Sequence, residues 1–170
     1  MTHRHISPSE EPRERELPDF SPMQKIKRRF FAMRNGALAS QMRAAGLDYR
    51  VNFGLNIPQV KEIAADIIGW QLPSSELMSL ACELWDNVNT RESRLIAPML
   101  YPADIMDPAL AERWLAEAQT TEVADHLCHS LLRRLPYAFT LASNLLARPD
   151  ATDMNRYSAA RLILNLLCIG

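Results

Sequence analysis

Glycine is scarce in this sequence, with five residues in 170. Strand-like alternation of apolar and polar residues is scarce as well. Together these argue against a sheet-based fold, whose hairpins lean on glycine-bearing turns. Cysteine is nearly as rare. Cys82, Cys128 and Cys168 are odd in number, far apart and contain no Cys-x-x-Cys pair. That excludes a disulfide framework and a zinc ribbon, and it points to a reducing compartment. No apolar run approaches the length of a membrane span. The N-terminus, MTHRHISPSEEPRERELPDF, is the opposite of a signal peptide. The expectation is a cytoplasmic protein.

A large net charge is also missing. The formal value is -1, so bulk charge says nothing about a polyanionic partner. Its distribution is more informative. Residues 21–62 are net +6, residues 63–130 net -8 and residues 131–170 net +3. A basic–acidic–basic order suits a positive groove with an acidic patch in or beside it, and it equally suits helices with solvated charged faces.

What the sequence does contain is helical pattern. Residues 1–20 hold three prolines, eight charges and few large apolar side chains, and read as a flexible tail. Residues 21–170 read as a single helical-repeat domain. Ser21-Pro22 looks like an N-cap with proline at the first helical position, and the helix stops at Asn35-Gly36. A short helix runs from Ala37 to Ala45. The stretch 47–57 is the longest non-helical piece. Helices then follow from Pro58 to Ile68, from Ser74 or Ser75 to Asp86, and from Asn89, with Glu92 in capping-box spacing. Pro98 kinks or ends that last one. Further helices run from Asp107-Pro108 to Ala118, from Thr120 or Thr121 to about Leu135-Pro136, over about 136–147, and over 153–167. Short helices in succession without a sheet predict an all-α fold of stacked antiparallel pairs, HEAT-like, or else a compact bundle.

One stretch concentrates ionisable groups. On a helical wheel TTEVADHLCHSLLRR, residues 120–134, puts Glu122, Asp125, His126, His129 and Arg133 within a sector of about 100°. Ala124, Leu127, Cys128, Leu131 and Leu135 fall on the other side. Glu122 and His126 are i,i+4 neighbours, as are Asp125 and His129. Such a stripe suits a site, a solvated helix face, or a zinc ligand set drawn from Glu122, Asp125, His126 and His129. Cys128 faces the core on this wheel and is expected to be inert.

Two blocks carry a resemblance. They are NGALASQMRAAGLDYRVNFGLNIPQVKEIAADI, residues 35–67, and LACELWDNVNTRESRLIAPMLYP, residues 80–102. A small-residue helix, then Tyr-x-x-x-Phe-Gly-Leu-x-x-Pro, then Leu-Trp-Asp and Glu-x-Arg-x-x-Ala, resembles the DNA alkylation repair family of HEAT-like proteins. These are the AlkD-like alkylpurine DNA glycosylases, and this chain looks like a shortened, divergent member. The similarity runs from about residue 22 to the C-terminus. It implies an arc of helix pairs, stacked into a curved superhelix, whose concave basic face holds duplex DNA. It also implies release of a cationic alkylated purine without a deep base pocket, and no cofactor or metal. By the same resemblance Asp125 takes the place of the catalytic carboxylate, which stabilises positive charge on the sugar.

Three departures accompany it. The family's helix is written Trp-Asp-x-x-Asp, and the matching stretch here is Thr121-Glu122-Val123-Ala124-Asp125, so the aromatic has become Thr121. Where the family tends to place an arginine for DNA phosphate, this chain has Ser158, with Arg156 and Arg161 close by. Typical members continue through further helix pairs, whereas this sequence ends at Cys168-Ile169-Gly170 within an apolar helical pattern.

The expected DNA contacts are Arg28, Arg133, Arg134, Arg156 and Arg161. Arg28 lies in the dense run Lys25, Lys27, Arg28, Arg29 and Arg34, which also reads as a solvated outer face. Arg133 and Arg134 suit a helix C-terminus as well. Glu92 and Arg94 are explained by a cap and an inter-helix ion pair, and Trp85 and Trp114 by packing between repeats. Two functions remain open. One is a DNA-binding protein of the alkylation-repair type, with or without turnover. The alternative is a non-catalytic scaffold that binds a protein partner. The first requires the Asp125 carboxylate to be bare, on the inner wall of a curved stack, with basic residues flanking it.

Overall fold

The computed structural model describes residues 20–168, which leaves nearly all of the expected N-terminal tail outside the described residues. Among them are nine α-helices and no named strand. They are α1 (Pro22–Met33), α2 (Gly36–Ala44), α3 (Ile57–Gly69), α4 (Ser74–Asp86), α5 (Arg91–Leu100), α6 (Pro108–Ala116), α7 (Thr121–Ser130), α8 (Ala138–Ala147) and α9 (Asp153–Leu167).

Side-chain caps start most of them. Ser21 with Gln24, Asn56 with Gln59 and Thr152 with Asn155 each form a reciprocal capping box. Asp107 accepts from the amides of Ala109 and Leu110, and Thr120 from that of Val123. Two expected starts are different. Pro73, not a serine, precedes α4 and supplies no side-chain cap. The capping box expected between Asn89 and Glu92 does not form. Thr90 precedes α5, and the Glu92 carboxylate is used elsewhere. Pro98 sits inside α5, which ends two residues later.

The helices stack in two rows. Packing runs α1 on α3, α3 on α5, α5 on α7 and α7 on α9, while α4, α6 and α8 lie behind. The pairs α4–α5 and α8–α9 are closely packed. This is the all-α arrangement of stacked helix pairs that the sequence predicts. A continuous apolar core runs through it, from Ile26 and Phe30 in α1 to Ala159 and Leu162 in α9. Trp85 and Trp114 are fully buried and stack on each other at 4.5 Å and 10°, with Tyr101 edge-on to Trp114. Both indoles therefore pack between helices, as expected.

The central helix carries an unusual load. Arg91, Glu92, Ser93 and Arg94 are all buried at the start of α5. The reason is the non-helical stretch that crosses it. Val51 bridges Thr90, and the Arg91 amide donates to the Val51 carbonyl. Glu92 accepts from the backbone amides of Phe53 and Leu55 at 3.2 and 3.3 Å. Arg91 donates to the Leu55 carbonyl at 2.8 Å, to Glu92 at 3.2 Å and, through Nε, to Glu122 at 2.9 Å. Gly54 lets this stretch lie close to α2. Its φ is +70°, and a Cβ there would meet the Asn35 carbonyl oxygen at 2.0 Å. Among the described residues Arg94 makes no inter-helix ion pair. Its guanidinium lies 3.7 Å over the Trp85 ring and donates to the carbonyls of Trp85 and Glu117. Burial pulls its pKa down, while the neighbouring Glu117, Tyr49 and Asp86 oppose the change.

Truncating one partner of a buried charge network strands the others. Arg91→Ala should therefore cost about 3–5 kcal/mol, by leaving Glu92 buried without its cation. Urea unfolding monitored by far-UV circular dichroism measures it. Glu122→Gln, at the more exposed end of the network, should cost clearly less. Equal and small effects for both would contradict a structural role for Arg91.

Candidate functional site

The α7 helix behaves as its wheel predicts on one side. Val123, Ala124, Leu127 and Cys128 are buried against the core. Cys128 donates to the Ser158 carbonyl of α9 at 3.4 Å, and burial pushes its thiol pKa up to about 12. A thiol held this far above neutrality stays protonated, so it is no nucleophile. The helix stops at Ser130 rather than near Leu135, and Leu132–Arg134 form a single turn of 3-10 helix. Arg133 and Arg134 therefore project from that turn rather than along the α7 stripe.

The ionisable stripe divides into two halves with different tasks. Glu122 turns toward α5 and grips Arg91 with both oxygens. Asp125 turns toward α9 instead. Its Oδ1 accepts the Tyr157 hydroxyl at 2.8 Å and lies 3.0 Å from Arg161 Nε. Arg161 Nε has no hydrogen-bond partner with acceptable geometry, so that contact is a Coulombic pair rather than a directed bond. The Asp125 carboxylate is thus engaged on one oxygen, where the sequence reading had it bare. Its side chain remains 36% exposed. With Glu122 and Asp125 aimed at different helices, the four-residue zinc set does not assemble. Among the described residues no three His, Cys, Asp or Glu side chains are grouped to hold a metal ion.

Asp125 opens on a shallow cavity of about 210 Å³, lined by Ile57, Lys61, Asp125, His126, His129, Ser130 and Arg161. Lys61 comes from α3, in the first basic segment, and Arg161 from α9, in the last. They meet over α7, which belongs to the acidic middle of the chain. The uneven charge in the sequence is therefore folded into one place, with a carboxylate among cations. Arg133 adds to this field, since its charge acts on His129.

The other expected contacts are dispersed. Arg156 is exposed and donates to the Ala151 carbonyl, just before its own helix, and Arg134 is exposed on the 3-10 turn. Arg28 lies over the Phe20 ring on α1, lining a separate cavity of about 770 Å³ with Ile63, Ile67 and Trp70. Its neighbour Arg29 is paired with Asp66 and Glu62. Ser158 is buried, and its hydroxyl donates to the Met154 carbonyl. The α9 cation beside Asp125 is Arg161. Sequence reasoning gave no role to Tyr157 or Lys61. The spacing of Tyr157 and Arg161, one helical turn apart, was the available signal.

Both histidines are shifted toward the neutral form. Burial lowers the pKa of His126 first. Lys61 and Arg91 lower it further, against the raising influence of Glu122 and Asp125. Burial again comes first for His129, followed by Arg133, Lys61 and Arg161, all in the same direction. The unfolded chain, with histidines near 6.5, then binds more protons than the fold as the solution is acidified. Stability from these groups is complete above that value and is lost as pH falls below it, through the lowered folded-state values. The melting temperature should therefore drop as pH falls below 6.5, and less steeply in His126→Gln. An identical slope in the variant would contradict this.

A family model described as DNA alkylation repair enzyme matches residues 26–151. That span is most of the described chain, and the chain belongs to this family. The match takes in Asp125 and the cavity residues of α3 and α7 and stops short of α9, which carries Tyr157 and Arg161. No curated protein and no solved structure matches the chain.

Proposed function

We propose that this chain binds alkylated duplex DNA and that Asp125 stabilises the loss of a cationic purine from it. The observation that carries the reading is a partly exposed carboxylate at the edge of a shallow cavity whose other charged groups are cationic. Duplex DNA is the partner that fits. Phosphates satisfy Lys61, Arg133 and Arg161, while a positively charged base and its sugar face the carboxylate.

The chemistry follows from the charges. In a cationic alkylpurine the glycosidic bond breaks with its electron pair leaving on the base, so the base departs neutral. The positive charge passes to the deoxyribose as an oxocarbenium-like centre, which water then captures. A fixed carboxylate close to that sugar lowers the barrier because the charge grows there during the reaction. The cavity is about 210 Å³, below the roughly 300–1,000 Å³ of pockets that bury a drug-sized ligand. Its shallow, open form suits action on a base at the surface. No metal or cofactor enters the step.

A second reading is binding without turnover, to DNA or to a protein. The Arg161 pair favours it, because a cation 3.0 Å away offsets part of the Asp125 charge. The two readings separate on one substrate. Release of base from methylated duplex should fall about 100-fold or more in Asp125→Asn, the scale of losing a group that stabilises developing charge. Equal release by wild type and variant would leave only binding. Duplex affinity should weaken steeply with salt, and Lys61→Ala and Arg133→Ala should each reduce the log–log slope by about one. Absence of retention on duplex DNA at moderate salt, with capture of a single protein instead, would point to the protein partner.

A further inference from the structure

The contact that no role yet covers is the one between Tyr157 and Asp125. Tyr157 and Arg161 lie one turn apart on α9 and reach the same atom, Oδ1 of Asp125, at 2.8 and 3.0 Å. Among the described residues the carboxylate accepts no other hydrogen bond, and none reaches Oδ2. The two holders differ in kind. Arg161 is 41% exposed, its Nε–H is not aimed at the carboxylate, and its charge offsets the charge it holds. The Nε atom itself is out of water, but the two side chains are 41% and 36% exposed, and a part-exposed pair without a directed bond holds weakly and yields to a competing anion such as phosphate. The phenol makes a directed hydrogen bond to an ionised acceptor, which is among the stronger kinds, and it brings no charge. It orients the carboxylate without neutralising it.

We propose that Tyr157 is the positioning residue of this site: its hydroxyl pins Oδ1 of Asp125, so that Oδ2 is the oxygen offered to a cationic centre when Arg161 turns to a DNA phosphate. This rests on the reading of Asp125 given above. Burial raises the pKa of the Tyr157 phenol, as do the hydrogen bond and charge of Asp125. The group therefore remains a donor at neutral pH. Tyr157 is 37% exposed, so it is not part of the core that holds α7 against α9. Burial there belongs to Cys128, Ser158, Ala159 and Leu162.

Tyr157→Phe removes only the hydroxyl. In single-turnover reactions on methylated duplex, the release rate should fall about tenfold or more, within the roughly hundredfold that small misplacement of a reacting group costs, while duplex Kd stays within about twofold. The melting temperature should hold. An unchanged rate in Tyr157→Phe, with Asp125→Asn inactive, overturns the positioning role alone. Wild type and Asp125→Asn releasing base equally overturns the assignment of Asp125, and the positioning role with it. A second measurement needs no turnover. Ultraviolet titration of the tyrosines, with Tyr157→Phe identifying the phenol, should show it ionising at lower pH in Asp125→Asn. An unmoved phenol would overturn the contact itself.

Discussion

A buried arginine at the centre of the molecule sets the rest in place. Arg91 is 1% exposed and is shared by three parts of the chain: the Leu55 carbonyl of the crossing stretch, Glu92 beside it on α5, and Glu122 at the start of α7. Charges taken out of water this completely are stable only when every partner is present. The network therefore specifies a geometry more than it adds net stability. Glu122 is fixed to the core by it, and Asp125 follows less than one helical turn later on the same helix. The direction in which Asp125 points is thus decided across the molecule, by a guanidinium that does not touch it.

That coupling explains how one acidic helix carries two unlike carboxylates. Glu122 and Asp125 are three residues apart and similar in sequence context. Glu122 gives both oxygens to a buried cation and is used up structurally. Asp125 gives one oxygen to α9 and keeps solvent access. The difference is set by what α7 packs against on each side, α5 on one and α9 on the other. The same packing brings Lys61 and Arg161, a hundred positions apart in sequence, to one cavity. A chain with almost no net charge thereby acquires a local field of alternating sign, which bulk composition conceals.

Much of the fold was legible because local rules and tertiary packing agree. Proline after a capping residue marks α1 and α6, and Thr120 caps as its residue type prefers, whereas Asn35, read as a stop, is the cap of α2. Tryptophan packing between helices followed from the size of the indole. The misses occur where a distant element claims a side chain. Glu92 had the spacing of a capping box, but the amides of Phe53 and Leu55 outbid the local amide, and no local pattern reports that. The early end of α7 at Ser130 likewise had no marker, since neither glycine nor proline follows until Pro136. At the site, the stripe on α7 was readable from its periodicity. Tyr157 offered only its spacing from Arg161, and the meaning of that spacing lies in the register of α9 against α7, which only the fold supplies.

The stacked tryptophans have an optical consequence. Trp85 and Trp114 face each other almost in parallel inside the core, whereas Trp70, the remaining one of three, borders the cavity between α1 and α3. Two indoles held rigidly in this way contribute to near-ultraviolet circular dichroism only while the core around them stays packed. Trp70 keeps an ordinary emission that responds to solvent. The molecule thus holds two built-in reporters, one for the integrity of its middle and one for its first helices, and they can be followed separately without attaching a label.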